Sequence, residues 1–395
     1  MRYGNSTPEW IHTCLRARLF TRMPPTSAYI HVPFCTHRCG YCNFTLVAGR
    51  DDLVKPYLDA LSVELSWLEK PREVKTLYFG GGTPTYLSVD NLEKLCELVL
   101  HWHPLQDNYE WPVEANPGDL DRQRMQTLAH YGVNRISLGA QSFRSQKLAL
   151  LERDHLAEDI LEAVWLVREA GMKLSLDLFF ATPGETLQEW QDDLTAVLEL
   201  EPEHISTYGL TFERGTTFWS RLHRGELSTV PEELDREMYL AAIDLMTAAR
   251  YQHYEISNFG KPSHSSRHNE VYWEGKGYYA AGPGAARYVD GVRSTNHRST
   301  FTYLKRIQVG KSPLAEQEQL NPEQRAREML VFGLRRIAGV DRQDFSKRSG
   351  YTVEDLSEKE IAHFVQHGLL TANDQNVRLT QAGLLVSDSM WPHLL

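Results

Sequence analysis

The chain has 395 residues, of which 42% are hydrophobic and 24% are charged, a composition typical of a globular protein with two or three domains. Its formal net charge of −10 argues against a nucleic-acid partner, because binding to a polyanion needs a basic surface. No run of apolar residues approaches the roughly 18 that a membrane-spanning helix needs.

The five cysteines do not form the pattern of a disulfide framework. Cys35, Cys39 and Cys42 lie close together, whereas Cys14 and Cys96 have no obvious partner. Clustered thiols in a large chain indicate metal ligands in a reducing compartment. We therefore expect a cytoplasmic protein.

Residues 1–26 form an N-terminal extension without clear hydrophobic periodicity. Four arginines and a single acid, Glu9, precede Met23. A transit peptide is one interpretation of this composition. The other, which we favour, is a start of translation at Met23, and Cys14 would then not belong to the protein.

From residue 27 to about residue 250 the chain alternates short β-rich runs with amphipathic helical runs. Six consecutive βα units imply a parallel sheet with right-handed crossovers, either as an open doubly wound sheet or as a barrel. In both folds the functional residues lie at the C-terminal ends of the strands. The strand candidates are residues 28–34, 76–81, 109–117, 135–142, 174–181 and 204–211.

Residues 251–310 are predicted to be a connecting segment, and residues 311–395 have a different, mainly helical character. Asn321 can cap a helix over 322–337 that has Pro322 at its first position. A hairpin is predicted within 368–380, which together with the helices suggests a winged-helix-like module. This part has ten Lys and Arg residues against twelve Asp and Glu residues, so DNA binding is not expected.

The first strand is followed by the sequence FCTHRCGYCNF, in which Cys35, Cys39 and Cys42 have C-x3-C-x2-C spacing. One explanation is a structural zinc site with His31 or His37 as the fourth ligand. The other is a [4Fe–4S] cluster in which one iron is left open for another ligand.

Unusual residues follow each of the next strands. The second ends in YFGGGTPT, where Gly80, Gly81 and Gly82 would let a ligand approach the backbone. Later strand ends supply acids, amides and an arginine that could together bind a zwitterion and a ribose. These residues are Glu114, Gln141, Ser142, Arg153 and Asp177.

With these motifs in order, the sequence resembles the radical S-adenosylmethionine (SAM) superfamily. The resemblance implies an α/β fold, a partial (β/α)6 barrel of the TIM type with a smaller C-terminal helical, winged-helix-like domain. It also implies that Cys35, Cys39 and Cys42 hold a [4Fe–4S] cluster. In that family the amine and carboxylate of SAM occupy the open iron, and an electron from the cluster generates a 5′-deoxyadenosyl radical.

Within the superfamily, the chain resembles the branch of oxygen-independent coproporphyrinogen III oxidase and its relative, the haem chaperone HemW. The segments that carry this resemblance are YIHVPFC, GGGTPT, EANPG, LGAQSF and YEISNF. The resemblance implies a place for each residue of the cofactor site. Tyr29 and Tyr41 would pack near the cluster, and Gly81, Gly82 and Thr83 would contact the methionine end of SAM, with Glu114 beside them. Gln141, Arg153 and Asp177 would bind its remaining polar groups and the ribose.

Two features distinguish the oxidase from the chaperone. The oxidase typically has a further cysteine where this chain has Phe44, and an aromatic ring cannot replace a thiol. RHNEVYW (267–273) resembles the HNxxYW signature of the chaperones, in which His268 would be an axial haem ligand and Tyr272 and Trp273 would face the ring. An aromatic packing cluster with His268 bonded to a carbonyl is the alternative, and His204 and His264 are rival ligands.

Three functions follow, in order of preference. The first is a haem chaperone that binds a [4Fe–4S] cluster, SAM and haem and delivers haem to apo-haemoproteins, including respiratory proteins of membranes. The second is a coproporphyrinogen III oxidase that decarboxylates propionate side chains. The third is a zinc-stabilised barrel without radical chemistry. The resemblance is also compatible with a homodimer.

Overall fold

The structure, a computed structural model, describes residues 24–395. The predictions for the N-terminal extension up to Met23 lie outside these described residues. Within them, no helix combines the length and the apolar character that crossing a membrane requires.

The first part of the chain alternates strands and helices. Its strands are β1 (Ser27–Val32), β2 (Phe34–Cys35), β3 (Val47–Ala48), β4 (Val74–Gly81), β5 (Leu105–Glu110), β6 (Pro112–Ala115), β7 (Arg135–Gln141), β8 (Lys173–Phe180) and β9 (His204–Gly209). Its helices are α1 (Val54–Ser66), α2 (Val89–Trp102), α3 (Arg122–Tyr131), α4 (Ser145–Leu150), α5 (Ala157–Glu169), α6 (Leu187–Glu199), α7 (Thr217–His223) and α8 (Glu232–Ala248).

Six parallel strands form the centre of the main sheet in the order β1, β4, β6, β7, β8 and β9. This order follows the sequence and lacks the reversal that defines a doubly wound sheet, so the barrel alternative is correct. The predicted α/β class, a partial barrel with a smaller C-terminal domain, is confirmed.

Successive side chains of each strand point to opposite faces of the sheet. In β8, Leu174, Leu176 and Leu178 are buried in the hydrophobic core, whereas Ser175 and Asp177 line a cavity on the opposite face. On the outer face, α5 buries an apolar stripe formed by Ile160, Val164, Leu166 and Val167. The strand pattern thus directs polar side chains inward and apolar side chains towards the helices.

The third predicted strand, 109–117, is interrupted. The structure divides this region into β5 and β6, and the backbone N–H of Trp111 donates to the side chain of Asn134 at 2.9 Å instead of to a neighbouring strand. Because the pairing resumes at Pro112, Glu114 still lies at the C-terminal end of the sheet.

The connecting segment extends the main sheet at both edges and adds a small antiparallel sheet. Its elements are β10 (Gln252–Glu255), β11 (Asn258–Gly260), α9 (Arg267–Trp273), β12 (Tyr279–Ala281), β13 (Ala286–Val289), β14 (Val292–Asn296) and α10 (Thr300–Gln308). The small sheet is completed by β15 (Leu314–Gln319), which pairs with β14 and lies at the start of the predicted C-terminal part. Strand β11 pairs antiparallel with β9, and β12 pairs in parallel with β1.

The C-terminal part has its own hydrophobic core, formed by residues between 326 and 394, whereas the main core lies between 28 and 307. Asn321 caps its first helix as predicted, accepting a hydrogen bond from the backbone N–H of Gln324 at 2.9 Å. Its elements are α11 (Pro322–Leu334), β16 (Val340–Asp341), α12 (Arg342–Ser349), α13 (Val353–Gln366), β17 (Leu370–Ala372), β18 (Asn376–Leu379), α14 (Gln381–Leu385) and α15 (Ser387–Leu394). Strands β17 and β18 form the predicted hairpin.

Candidate functional site

A cavity of about 450 Å³ opens at the C-terminal ends of the parallel strands, and we call it the first cavity. Most of the predicted cofactor residues line it, although they come from six separate segments. They are Cys35, Cys39, Tyr41, Cys42, Gly81, Gly82, Thr83, Glu114, Gln141, Arg153 and Asp177. Tyr29 is not among the lining residues; its hydroxyl bonds Nδ1 of His31 at 3.0 Å, and its ring packs on Tyr78.

The three cysteines lie on one loop that a short parallel pairing closes. Strand β2 pairs with β3, and the N–H of Val47 donates to the carbonyl of Pro33 at 2.7 Å. Inside the loop the N–H of Cys42 donates to the carbonyl of Cys39 at 3.0 Å. The local backbone therefore holds all three thiols against the same cavity.

Two arginines hold the carbonyl groups of the second half of this loop. Arg38 donates to the carbonyl of Leu46 at 2.7 Å and to that of Cys42 at 3.3 Å. Arg298, from the connecting segment, donates to the carbonyl of Asn43. Phe44, between these contacts, is 63% exposed and borders the first cavity.

The thiols of Cys35 and Cys42 are in an environment that favours their protonated form when no metal is bound. Burial raises the pKa of the Cys35 thiol to about 12, although a hydrogen bond with Thr83 opposes the shift. Burial also raises the pKa of Cys42. Because a coordinated thiol is deprotonated, a positively charged metal centre is the partner that would compensate for this cost.

His31 does not complete a zinc site with the cysteines. Its Nδ1 bonds Tyr29, and its Nε2 lies 2.7 Å from the carbonyl oxygen of Thr45. Burial lowers the pKa of His31 to about 4, so the ring is neutral at pH 7. Between residues 24 and 395, no three His, Cys, Asp or Glu side chains are grouped as ligands of a single metal ion.

Glu114 is held beside the glycine segment by two donors. The N–H of Gly81 donates to Oε2 at 2.8 Å, and the hydroxyl of Tyr78 donates to Oε1 at 2.9 Å. Burial raises the pKa of Glu114 to about 7, with the nearby Asp177 adding to the shift. The carboxyl group therefore titrates near neutrality and borders the cavity.

The three glycines are required by neighbouring parts of the protein itself. A Cβ atom added to Gly80 would lie 2.7 Å from Oε1 of Glu114, and one added to Gly82 would lie 2.6 Å from the carbonyl oxygen of Phe34. At Gly81, where φ is +109°, it would overlap the ring of His31. Protein atoms therefore occupy the space where a Cβ atom would lie at each position; Gly81 and Gly82 nevertheless line the first cavity, and their contact with a cofactor stays a prediction.

Gln141 supplies an observation that points directly to a ligand. Gln141 lines the first cavity, is 9% exposed and has a φ of +65°, and its buried Oε1 atom has no hydrogen-bond partner among residues 24–395. An unpaired buried carbonyl is costly, so a bound donor would stabilise this arrangement. The first cavity therefore combines groups that fit a cluster with an amino-acid cofactor. These groups are the three thiols, the side-chain oxygen of Gln141 and the carboxyl groups of Glu114 and Asp177.

Sequence reasoning missed several residues of this cavity. Ser137 donates to Oδ2 of Asp177 at 3.0 Å, and Ser206, which is aligned with Asp177 in the parallel register, also hydrogen-bonds it. Burial raises the pKa of Asp177 to about 6. The signal was present, because both serines occupy inward-facing positions of the predicted strands. Asn116, two residues after Glu114, accepts a hydrogen bond from Arg153.

The predicted haem residues lie outside the first cavity. His268 is 1% exposed; its Nδ1 lies 2.9 Å from the hydroxyl of Thr76, and its Nε2 lies 2.9 Å from the hydroxyl of Tyr272. Burial lowers the pKa of His268 to about 3. In this conformation both ring nitrogens of His268 are engaged, so binding an iron would require the loss of one of these hydrogen bonds, and its role as an axial haem ligand stays a prediction.

The other residues named for haem are also engaged. Trp273 packs against Phe332 and lies under the guanidinium of Arg335. Of the rival histidines, His204 borders the first cavity but bonds Ser175 and Tyr254 through its two ring nitrogens. His264 is partly exposed, and its Nδ1 bonds the carbonyl of Pro262 at 2.9 Å.

Comparisons with known proteins agree with this geometry. Residues 29–197 match the family model of the Radical SAM superfamily, and residues 320–386 match that of the HemN C-terminal domain. The Heme chaperone HemW of Bacillus subtilis is 35% identical over 92% of this chain and 98% of its own length. HemW of Lactococcus lactis is 34% identical over 94% of this chain and 97% of its own length.

A solved structure shows the same fold. Coproporphyrinogen III oxidase (HemN) from Escherichia coli covers 97% of this chain and 93% of its own, with a TM-score of 0.82 and 21% identity. At this identity the likeness concerns the fold alone. Taken together with the sequence matches, it agrees with one assignment: the chain belongs to the radical SAM superfamily and, within it, to the family of the Heme chaperone HemW.

Proposed function

We propose that this protein binds a [4Fe–4S] cluster and SAM in the first cavity, binds haem, and delivers haem to apo-haemoproteins. The proposal rests on one observation: Cys35, Cys39 and Cys42 line the same cavity as Gln141, whose side-chain oxygen has no hydrogen-bond partner among the described residues. This cavity occurs in a chain that aligns along nearly the whole length of relatives named heme chaperones.

Different residues of the first cavity would bind the cluster and SAM. The three thiols would hold the cluster, which supplies one-electron chemistry when it is bound together with SAM. Gln141, Glu114 and Asp177 offer acceptors to the amine and hydroxyl groups of the cofactor. The rim formed by the cysteine loop would limit access of water.

Anaerobic reconstitution with iron and sulfide tests the cluster. The wild type should become brown and bind about four irons per chain, as a cubane requires. Cys39→Ser should lose most of this iron. Cys96→Ala is the matched control, because Cys96 is fully buried in the core away from the cavity. Equal iron content in wild type and Cys39→Ser would contradict the cluster assignment.

Addition of SAM to the reduced cluster tests the cofactor. The electron paramagnetic resonance spectrum should change when SAM occupies the open iron. Gln141→Ala removes the unpaired acceptor, so the SAM concentration needed for half of this change should rise. A spectrum that does not respond to SAM in the wild type would rule out this part of the proposal.

Haem titration tests the second ligand. The wild type should develop a haem absorbance band and then transfer the haem to an added apo-haemoprotein, such as a respiratory cytochrome without its haem. His268→Ala should weaken binding if Tyr272 moves away to expose Nε2, whereas His264→Ala should not. Transfer no faster than from haem and an unrelated carrier protein would contradict the delivery function.

Coproporphyrinogen III oxidase activity is the second candidate, supported by the shared fold. Phe44 counts against it, because its ring supplies neither a ligand nor an acid where the oxidase has a cysteine. Conversion of coproporphyrinogen III to protoporphyrinogen IX by the reconstituted protein would replace the chaperone proposal with this one.

A further inference from the structure

Three buried charged side chains, which we call the charge triad, lie beside the strand ends that border the first cavity. They are Lys147 of α4, Glu185 just before α6 and Asp193 of α6, and each is at most 6% exposed. The ammonium group of Lys147 lies 3.0 Å from Oδ2 of Asp193 and also pairs with Glu185. None of the three lines the first cavity, and the binding of the cluster and SAM proposed above does not use them.

The backbone at Gln141 has a conformation that needs support from the rest of the protein. Its φ is +65°, and the N–H of Ser142 donates to the carbonyl of Ala140 at 2.8 Å, which closes a three-residue turn around Gln141. A γ-turn with a positive φ at its centre is rare and strained. The register of β7 against β8 also shifts between Leu138 and Gln141. Strained backbone of this kind persists only where the surrounding structure holds it.

The side chain of Gln141 lies back over its own strand. A Cβ atom added to Gly139 would lie 2.8 Å from Nε2 of Gln141, so the amide group occupies space that only a glycine leaves open. Gly139 and Gln141 both line the first cavity, and Arg153 donates to the carbonyl of Gly139 at 3.2 Å. The place of the Gln141 amide among the predicted SAM ligands therefore depends on the turn that follows Gly139.

Asp193 holds the two residues that follow Gln141. Its Oδ1 accepts the N–H of Phe143 at 2.7 Å, and its Oδ2 accepts the hydroxyl of Ser142 at 2.7 Å. Ser142, one of the predicted strand-end residues, is fully buried and does not line the first cavity. Lys147 holds the same carboxylate from α4. A side chain of α6 thus fixes the chain directly after the strained turn.

We propose that Asp193 is a positioning residue for SAM: it holds Ser142 and Phe143, and through them it keeps the amide of Gln141 in place for the cofactor. This inference rests on the proposed binding of SAM and deepens it. A merely structural role, in which the charge triad only joins α4 to α6, would change stability alone. Only positioning makes the effect of Asp193 on SAM depend on the amide of Gln141.

Titration of SAM into the reduced, reconstituted full chain, followed by electron paramagnetic resonance, tests the positioning role. Ser142→Ala removes one donor to Asp193 and should raise the SAM concentration for half of the spectral change about two- to tenfold, the effect of losing one hydrogen bond. Thr182→Val is the matched control, because it removes a buried hydroxyl that bonds Glu185 of the same triad at 2.9 Å, after β8. An equal rise in both variants, or no rise in Ser142→Ala, would overturn the inference.

A double-mutant cycle with Gln141→Ala separates positioning from general support of the fold. Asp193→Ala leaves Lys147 paired with Glu185. It should weaken SAM binding in the wild type and have almost no further effect in Gln141→Ala. Independent effects of the two changes would overturn the positioning role. If Asp193→Ala does not retain its iron, Ser142→Ala, which keeps all three charges, replaces it in the cycle.

Hydrogen exchange of the cluster-free protein gives a readout that needs no cofactor. The N–H of Phe143 should exchange faster in Asp193→Ala than in the wild type, because its acceptor is removed, and Thr182→Val should leave it protected. Unchanged exchange in Asp193→Ala would overturn the inference. A wild type whose spectrum ignores SAM, with the expected exchange result, would instead overturn the proposed function and with it SAM as the ligand that Asp193 serves.

Discussion

The guanidinium of Arg153 lies 3.5 Å from the sulfur of Cys39. The same group donates to the carbonyl of Gly139 at 3.2 Å and to the side chain of Asn116. Arg153 therefore connects a cysteine of the loop to the C-terminal ends of two strands, and its positive charge lies where a metal-bound thiolate would carry negative charge.

Arg153→Ala is expected to weaken retention of the cluster. Groups that contact metal ligands typically contribute 10- to 100-fold to metal affinity, so we expect an effect of about this size. The measurement is the rate of iron loss to a chelator after reconstitution. Arg122→Ala, which removes a surface pair with Glu169, is the control. Iron loss from Arg153→Ala as slow as from the wild type would show that the contact with Cys39 is incidental.

Gly82→Ala is expected to destabilise the protein even without cofactors. The new methyl group would meet backbone atoms of Phe34 and Val32, which cannot turn away as a side chain can. Overpacking of this kind costs roughly 1–3 kcal/mol. Gly118→Ala is the control, because nothing lies within 4 Å of its added Cβ. Thermal unfolding of the two cluster-free variants gives the comparison, and equal midpoints would refute the packing argument.

Much of the first cavity could be predicted because its signals are local. Alternation along a strand determines which side chains face inward, and the parallel order brings the strand ends together. Glu114 and Asp177 follow from these two rules. The bond of His268 to Thr76 does not, because Thr76 is 192 residues away in the sequence and no local pattern reveals the hydrogen bond. The role of Gly81 was missed for the same reason, since the ring that fills its side-chain space comes from His31 on another strand.

Glu114→Gln is expected to change stability in a pH-dependent way. Burial raises the pKa of Glu114 from 4.5 to about 7, so between these values the folded chain holds a proton that the unfolded chain has released. Stability due to this group therefore falls as pH rises through that window. Gln has no charge to bury, so the variant avoids the cost of ionising this buried group. Relative to the wild type, its free energy of unfolding should therefore rise by on the order of 1–3 kcal/mol between pH 5 and pH 8.

Unfolding of the cluster-free proteins at pH 5 and pH 8 measures this difference. Glu162→Gln, an exposed position on α5, is the control and should show no such dependence. A difference between Glu114→Gln and wild type that is the same at both pH values would mean that Glu114 is already ionised at pH 5. The same variant should bind SAM less well, because a carboxylate acceptor is lost.

The last prediction concerns Glu64, a buried carboxylate that joins α1 to the connecting segment. It accepts hydrogen bonds from the N–H of Gly282 at 2.8 Å, the side-chain amide of Asn296 at 2.6 Å and the hydroxyl of Tyr303 at 2.7 Å. Burial nevertheless raises its pKa, so the three donors only partly offset the loss of hydration. Glu64 stabilises the fold by accepting hydrogen bonds from these buried donors.

Glu64→Ala should therefore destabilise the protein by roughly 3–5 kcal/mol, because it leaves the N–H of Gly282 and the hydroxyl of Tyr303 without this acceptor, leaves Asn296 with only the carbonyl of Gly282, and opens a cavity. Asp59→Ala is the matched control on the same helix; Asp59 is exposed and pairs only with Lys55, so its loss should cost less than about 1 kcal/mol. Thermal unfolding and hydrogen exchange of Gly282 report the effect. The N–H of Gly282 should lose protection in Glu64→Ala alone, since its acceptor is removed there and kept in Asp59→Ala. Equal protection in both variants would mean that another acceptor replaces the carboxylate.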